Sequence, residues 1–334
     1  MTMAWKTAIM GATGAVGTEL LTILEQRNFP LASLKLLASS RSAGKTLNFK
    51  GEQLVVEELT EKSFQGIDMV LASAGGSISK KFAPVAVAGG AIVVDNTSAY
   101  RMDPAVPLVV PEVNPQDIKK HKGIIANPNC STIIMNVPIW PLHQANPIRR
   151  IVMSTYQAVS GIGAAAMADL AEATRAALDG REYQQKVIKF PAAFNVWSHD
   201  SGIAEDGYNQ EEQKALNETR KIFHCDSLRI TATCIRVPVM RAHSESINIE
   251  FTNPMTPDQV RAILAKAPGV KIVDDRERNY FPMPRDASGQ DDVLVGRIRQ
   301  DVSMDGGRGI DLFIAGDQIR KGAALNAVQI AELL

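Results

Sequence analysis

Apolar residues recur along the chain in two rhythms, and the first 130 residues alternate between them. Short apolar runs at 7–10, 34–38, 69–72, 91–94 and 123–126 have the length of buried strands. Stretches with helical spacing lie between several of them: Leu20, Leu21, Ile23 and Leu24 after the first run, and 79–88 after the third. This alternation predicts an α/β fold with a Rossmann-type, doubly wound parallel sheet. Beyond about residue 130 the rhythm changes. Long strand-like runs stand at 150–157, 229–237, 246–252, 293–299 and 310–314, with helical patterns at 164–178, 209–222 and 256–266. They predict a second, α+β domain: a mixed sheet with helices on one face. The closing stretch, 321–334, reads as one more helix.

A chain of 334 residues has room for two such domains. Its 36 basic and 36 acidic residues cancel, so nothing in the charge points to nucleic acid or an anionic membrane. Three cysteines cannot close a disulfide framework. With no signal-peptide pattern at the N-terminus, the expected location is cytoplasmic. No uninterrupted apolar stretch is long enough to span a bilayer.

The first strand runs into Gly11-Ala12-Thr13-Gly14-Ala15-Val16-Gly17, and a helix follows. Glycines here permit a tight turn and close approach of a pyrophosphate, which the helix N-terminus attracts. A glycine motif alone is weak, since it also serves as a packing turn. Its place between a strand and a helix makes it a dinucleotide loop. An NAD site usually has an acidic residue about 20 positions further on. No acidic residue occurs from Ala32 to Gly51; the second strand ends instead in Ser39-Ser40-Arg41-Ser42, with Lys45 nearby. A planar cation among hydroxyls suits a 2′-phosphate, so the expected cofactor is NADP.

Cys130 follows Asn127-Pro128-Asn129, between the fifth strand and an apolar, helix-prone run. A thiol at a helix N-terminus meets backbone N–H groups and the positive end of the dipole, which favour the nucleophilic thiolate. The same N–H groups can hold an oxyanion. The alternative, a buried structural cysteine, suits Cys225 and Cys234 better.

Five segments in order carry a family resemblance: Gly11 to Gly17, Asn127-Pro128-Asn129-Cys130-Ser131-Thr132, Ser154 to Gly161, Arg236-Val237-Pro238-Val239, and His243-Ser244-Glu245-Ser246. Together they resemble aspartate-semialdehyde dehydrogenases over nearly the whole chain. The resemblance implies NADPH-dependent reductive dephosphorylation of L-aspartyl 4-phosphate to L-aspartate 4-semialdehyde and phosphate. This is a step towards lysine, methionine and threonine. It implies a thioacyl intermediate on Cys130 and a homodimer or dimer of dimers. It also implies an NADP-binding domain over 1–130, completed by the C-terminal helix 318–334. The substrate-binding and dimerisation domain would then be 131–317.

Site residues carry over by position. The resemblance makes Cys130 the nucleophile, His243 the acid/base group and Gln157 the residue that orients the acyl group. Arg236 matches the α-carboxylate ligand. Arg101 and Lys214 match phosphate-binding cations, and Glu212 is assigned to the substrate ammonium. Residues two apart do not share a helical face, so Glu212 and Lys214 are expected to splay. Gly11, Thr13, Gly14, Ala15, Val16, Arg41, Ser42 and Ser73 are expected at the cofactor, with Ser160 and Gly161 at its nicotinamide end and Gln318 closing the cofactor pocket from the C-terminal side. No metal is implied. His121, His143, His199 and His224 have no counterpart and are expected at the surface or in structural roles. Three alternatives compete: an N-acetylglutamyl-phosphate reductase, a cysteine hydrolase and a non-catalytic paralogue. An ammonium-binding carboxylate, the dinucleotide loop, and the joint presence of Cys130 and His243 respectively oppose them.

Overall fold

The computed structural model describes residues 4–334, which form two compact units. One runs to Asn129 and takes in Ala323–Leu334; the other is Cys130–Gly322.

The first unit opens with β1 (Trp5–Met10), α1 (Ala15–Gln26) and β2 (Leu31–Ala38). A hairpin follows, β3 (Thr46–Phe49) and β4 (Glu52–Glu58), then β5 (Met69–Ala72), α2 (Gly76–Ala88), β6 (Ile92–Asp95) and β7 (Ile124–Ala126). The sheet order is β3-β4-β2-β1-β5-β6-β7, parallel except for the β3–β4 hairpin. The chain reverses its winding between β1 and β5, the point where open α/β sheets bind ligands. The hairpin does not show in the apolar rhythm, because within β4 only Val56 is buried. Its tight turn is set by Lys50 and Gly51, both with positive φ.

The end of the chain is not one helix. A π-helical turn at Arg320–Ala324 leads into an α-helix, Leu325–Glu332. Leu325, Val328 and Ile330 of that helix share a buried cluster with Leu20, Leu24 and Leu36. Arg27 closes the contact with a bidentate bond to Glu332, at 2.6 and 2.7 Å.

The second unit contains α3 (Cys130–Ala145), β8 (Ile148–Gln157), α4 (Ala164–Leu178), β9 (Trp197–Ser198), α5 (Gln210–Phe223), β10 (Arg229–Arg236) and β11 (His243–Phe251). It continues with α6 (Pro257–Leu264), β12 (Val270–Ile272), β13 (Val293–Gln300) and β14 (Gly309–Gly316). The sheet order is β12-β13-β14-β11-β8-β10-β9. β8 runs parallel to β10 and antiparallel to β11, so the sheet is mixed. Helix α3 crosses it so closely that a Cβ on Gly316 would stand 2.9 Å from Ile134. Pro138 and Pro141 lie inside α3 without ending it. Tyr156 and Phe313 pack in a tilted arrangement on the opposite face, their ring centroids 6.0 Å apart and their planes 51° from parallel.

Candidate active site

In the first unit the glycine loop leaves β1 at Met10. The Gly11 and Ala12 N–H groups both donate to Leu37 O at the end of β2, which folds the loop tightly over the sheet. Gly11 has φ 95°, and a Cβ there would lie 2.7 Å from Ser73 O. A Cβ on Gly17 would meet Gly11 O at 2.2 Å. Both glycines are therefore obligatory: one for conformation and for the approach of Ser73, the other for packing α1 under the loop. Gly14 is the N-cap of α1 and makes no side-chain cap; Ala15 and Val16 begin the helix. The first-turn N–H groups of a helix capped this way suit a pyrophosphate. Arg41 stands exposed on the short turn Ser40–Ser42, and the Thr13 hydroxyl reaches Ser42 Oγ at 3.4 Å. The expected cofactor residues of this unit thus sit together at one end of the sheet.

Arg101 is buried in the same unit. Its Nε donates to Asn127 O at 2.9 Å and its Nη2 to Asn96 O at 2.7 Å. These carbonyls lie just beyond β7 and β6, so the strand ends hold the guanidinium in a fixed orientation.

In the second unit, Cys130 opens α3 and is half-buried. Gly322 packs against it; a Cβ there would come within 2.9 Å of Cys130 Cβ. Gln157, at the end of β8, donates to Ser131 Oγ at 2.9 Å and to Glu211 Oε1 at 3.1 Å. Its own Oε1 is buried with no partner, an acceptor left over. Arg236 lies beside Gln157 in the β10–β8 register. Its Nη1 donates to Ala158 O at 3.2 Å.

His243 begins β11 and is fully buried. Its Nδ1 accepts the Ala158 N–H at 3.0 Å, so the neutral ring carries its proton on Nε2. Nε2 has no partner. Burial first, and then the Arg236 cation, hold the imidazole down at about 3. A dry site beside a guanidinium disfavours the imidazolium. Preceding it, Ala242 has φ 72°, and its N–H is held by Gln318 Oε1 at 2.8 Å. The amide of Gln318 also bonds to Ser160 Oγ. Gly161 lies over both cation and imidazole: a Cβ there would stand 2.9 Å from Arg236 Nη1 and 3.4 Å from His243 Nε2. Ser160, Gly161, Gln318, Arg236 and His243 are therefore one constellation.

The assignment of Glu212 to the site is corrected. One of its oxygens accepts the Asn209 N–H at 2.9 Å, and the other accepts the Cys234 N–H at 2.9 Å. The first bond belongs to a capping box in which Asn209 Oδ1 in turn accepts the Glu212 N–H. Glu211 is the carboxylate that faces Gln157. Its other oxygen pairs with Lys214 Nζ at 2.9 Å, three residues along the same helix face. Asn209-Gln210-Glu211-Glu212 carries the capping-box spacing, and this signal separates the two glutamates. Two further residues were missed. Ser131 follows the thiol and binds Gln157, while His199 touches Arg236 at 2.8 Å. Cys234 is a buried strand residue whose thiol burial pushes up.

The two units match two domains of one enzyme class. Residues 6–121 match the NAD-binding domain of semialdehyde dehydrogenases, and residues 139–321 match their dimerisation domain. The aspartate-semialdehyde dehydrogenase of Synechocystis sp. is 59% identical over 98% of this chain and 97% of its own. A crystal structure of aspartate-semialdehyde dehydrogenase II from Vibrio cholerae, complexed with ASA, superposes with a TM-score of 0.96. It is 43% identical, over 100% of this chain and 98% of that one. The Candida albicans enzyme with NADP gives a TM-score of 0.75 at 25% identity, covering 99% and 98%. The chain belongs to the aspartate-semialdehyde dehydrogenase family.

Proposed function

We propose that this chain reduces L-aspartyl 4-phosphate to L-aspartate 4-semialdehyde with release of phosphate, using NADPH. The observation that carries the reading is the constellation of Gln157, Glu211, Lys214, Arg236 and His243 in the unit whose helix α3 begins at Cys130. The substrate has a carboxylate, an ammonium and an acyl phosphate. Arg236 suits the carboxylate, Glu211 the ammonium, and Lys214 and Arg101 the phosphate.

The Cys130 thiolate attacks the acyl carbon at the positive end of α3, the acyl–phosphate bond breaks, and a thioester remains. Gln157 orients the acyl group. His243 donates a hydrogen bond from Nε2 to the acyl oxygen. A base role at Nε2 would need the ring proton moved to Nδ1, where it would face the Ala158 N–H. When bound, the cofactor would supply the hydride that reduces the thioester carbon; the C–S bond then breaks, which frees the aldehyde and returns the Cys130 thiolate. Gly11 to Gly17 and Ser73 would hold its pyrophosphate end, Arg41 and Ser42 its 2′-phosphate, and Ser160, Gly161 and Gln318 its nicotinamide. We assign cofactor binding to the first unit, and substrate binding and dimerisation to the second. The active form is a homodimer or a dimer of dimers in the cytoplasm.

Phosphate-dependent reduction of NADP by aspartate semialdehyde tests the reading, with N-acetylglutamate semialdehyde as competitor substrate. Turnover of the first alone, lost in Cys130→Ala, is expected. Preference for the N-acetylated compound would refute the assignment.

A further inference from the structure

Arg236 is held by a histidine that has no part in the proposed chemistry. Strand β9 pairs antiparallel with β10, Trp197 opposite Arg236, and the His199 N–H donates to Cys234 O at 2.9 Å. The backbone of His199 is thus anchored to the strand that carries Arg236. Its Nε2 lies 2.8 Å from Arg236 Nη2. A guanidinium only donates, so Nε2 is the acceptor and the ring proton sits on Nδ1. There Ser201 Oγ receives it at 3.1 Å. The Ser201 N–H also lies 3.2 Å from Nδ1, but one neutral ring cannot accept at both nitrogens. The shorter, charge-assisted bond to Arg236 decides the tautomer.

We propose that His199 is a positioning residue: a neutral hydrogen-bond acceptor that fixes Arg236 and leaves its positive charge for the substrate carboxylate. The proposal rests on the reading that Arg236 binds that carboxylate. Arg236 is gripped from two sides by uncharged acceptors, Ala158 O and His199 Nε2. Asp200 Oδ1 makes only a long, partly exposed ion pair with Arg236, 3.9 Å from its Nε. An aspartate or glutamate in place of His199 would hold the guanidinium equally well, but would cancel the charge the substrate needs. Gly161 leaves one side of the guanidinium uncovered by any side chain of its own. The charged groups facing His199 are Glu211 and Lys214 on α5, Arg236 on β10 and neighbouring Asp200. Burial is the largest influence among them and holds the imidazole at about 4, so the acceptor stays available at neutral pH.

Steady-state kinetics of His199→Ala, His199→Gln, His199→Asp and Arg236→Ala test this, with folding checked by circular dichroism. His199→Ala should raise KM for aspartate semialdehyde about tenfold, the worth of one hydrogen bond to a charged group, and change kcat far less. His199→Gln, whose amide oxygen can accept, should recover most of the loss; His199→Asp should not. Wild-type KM in His199→Ala, or equal losses in the alanine and glutamine variants, would overturn the proposal while a raised KM in Arg236→Ala preserves the carboxylate reading. An unchanged KM in Arg236→Ala would remove that reading and the proposal with it. Nitrogen-15 NMR of histidine-labelled wild type gives a readout that needs no variant to fold. His199 should be protonated at Nδ1 and His243 at Nε2, and a His199 with its proton on Nε2 at neutral pH would sink the idea.

Discussion

Glu212 cannot release either carboxylate oxygen without leaving a buried N–H unpaired, at Asn209 or at Cys234. Glu211, one residue earlier, offers its oxygens to Gln157 and Lys214. Neighbours on one helix turn therefore do different work, scaffold and site. Replacing them separates the two. Glu212→Ala removes half a capping box and a sheet contact, and should cost about 1–3 kcal/mol of stability. Its KM should change little in the enzyme that remains folded. Glu211→Ala should leave the unfolding midpoint nearly in place and raise KM for the semialdehyde about tenfold to a hundredfold. Thermal unfolding and initial rates on both variants decide it. A large KM effect from Glu212→Ala alone would restore the sequence-based assignment.

At the scale of elements, the glycine loop, the start of α1 and the end of β2 form one device, because Leu37 O receives both loop N–H groups. Arg41 projects from the turn beyond β2, where no carboxylate from Ala32 to Gly51 competes for a ribose. Arg41→Ala should weaken NADP by about one to two orders of magnitude and leave NAD nearly unchanged. The loss should shrink at high salt, since Arg41 is exposed. Michaelis constants for both cofactors check it; equal losses would mean that Arg41 supports the loop and does not read the phosphate.

Elements with a strong rhythm were legible in the sequence. Met69–Ala72 and Ala164–Leu178 have the bounds their patterns predict. The β3–β4 hairpin was not, because an edge pair with one buried residue in β4 carries almost no apolar signal. The π-helical turn at Arg320–Ala324 was also hidden, since its residues suit an α-helix equally well. Among the residues proposed for the site, Cys130, His243 and Arg236 stand in motifs that can be read in the sequence. His199 does not, because its role depends on β9, a strand of two residues.

Over the whole molecule, stability depends on pH through buried carboxylates that act in opposite directions. Asp169 accepts the N–H groups of Lys186, Val187 and Ile188 and the Tyr183 hydroxyl. Although burial opposes ionisation, these bonds hold it down at about 2, below its ordinary 3.8. Its contribution is present above pH 3.8 and is lost as the pH falls towards 2. Glu245 is the reverse case. It is fully buried on β11 opposite Thr155, neither oxygen has a partner, and burial raises it well above its ordinary 4.5. The folded protein holds this proton where the unfolded chain has released it. The contribution is therefore complete below pH 4.5 and declines as the pH rises towards the folded value, by up to about 1.4 kcal/mol per pH unit. Glu245→Gln keeps the shape and removes the titration. Its stability relative to wild type should climb between pH 5 and pH 8, because wild type alone pays to ionise or to keep the proton. Asp169 is common to both proteins and cancels in the difference. Denaturant midpoints at several pH values measure it, and a difference that stays flat from pH 5 to pH 8 would mean that Glu245 is already ionised at pH 5.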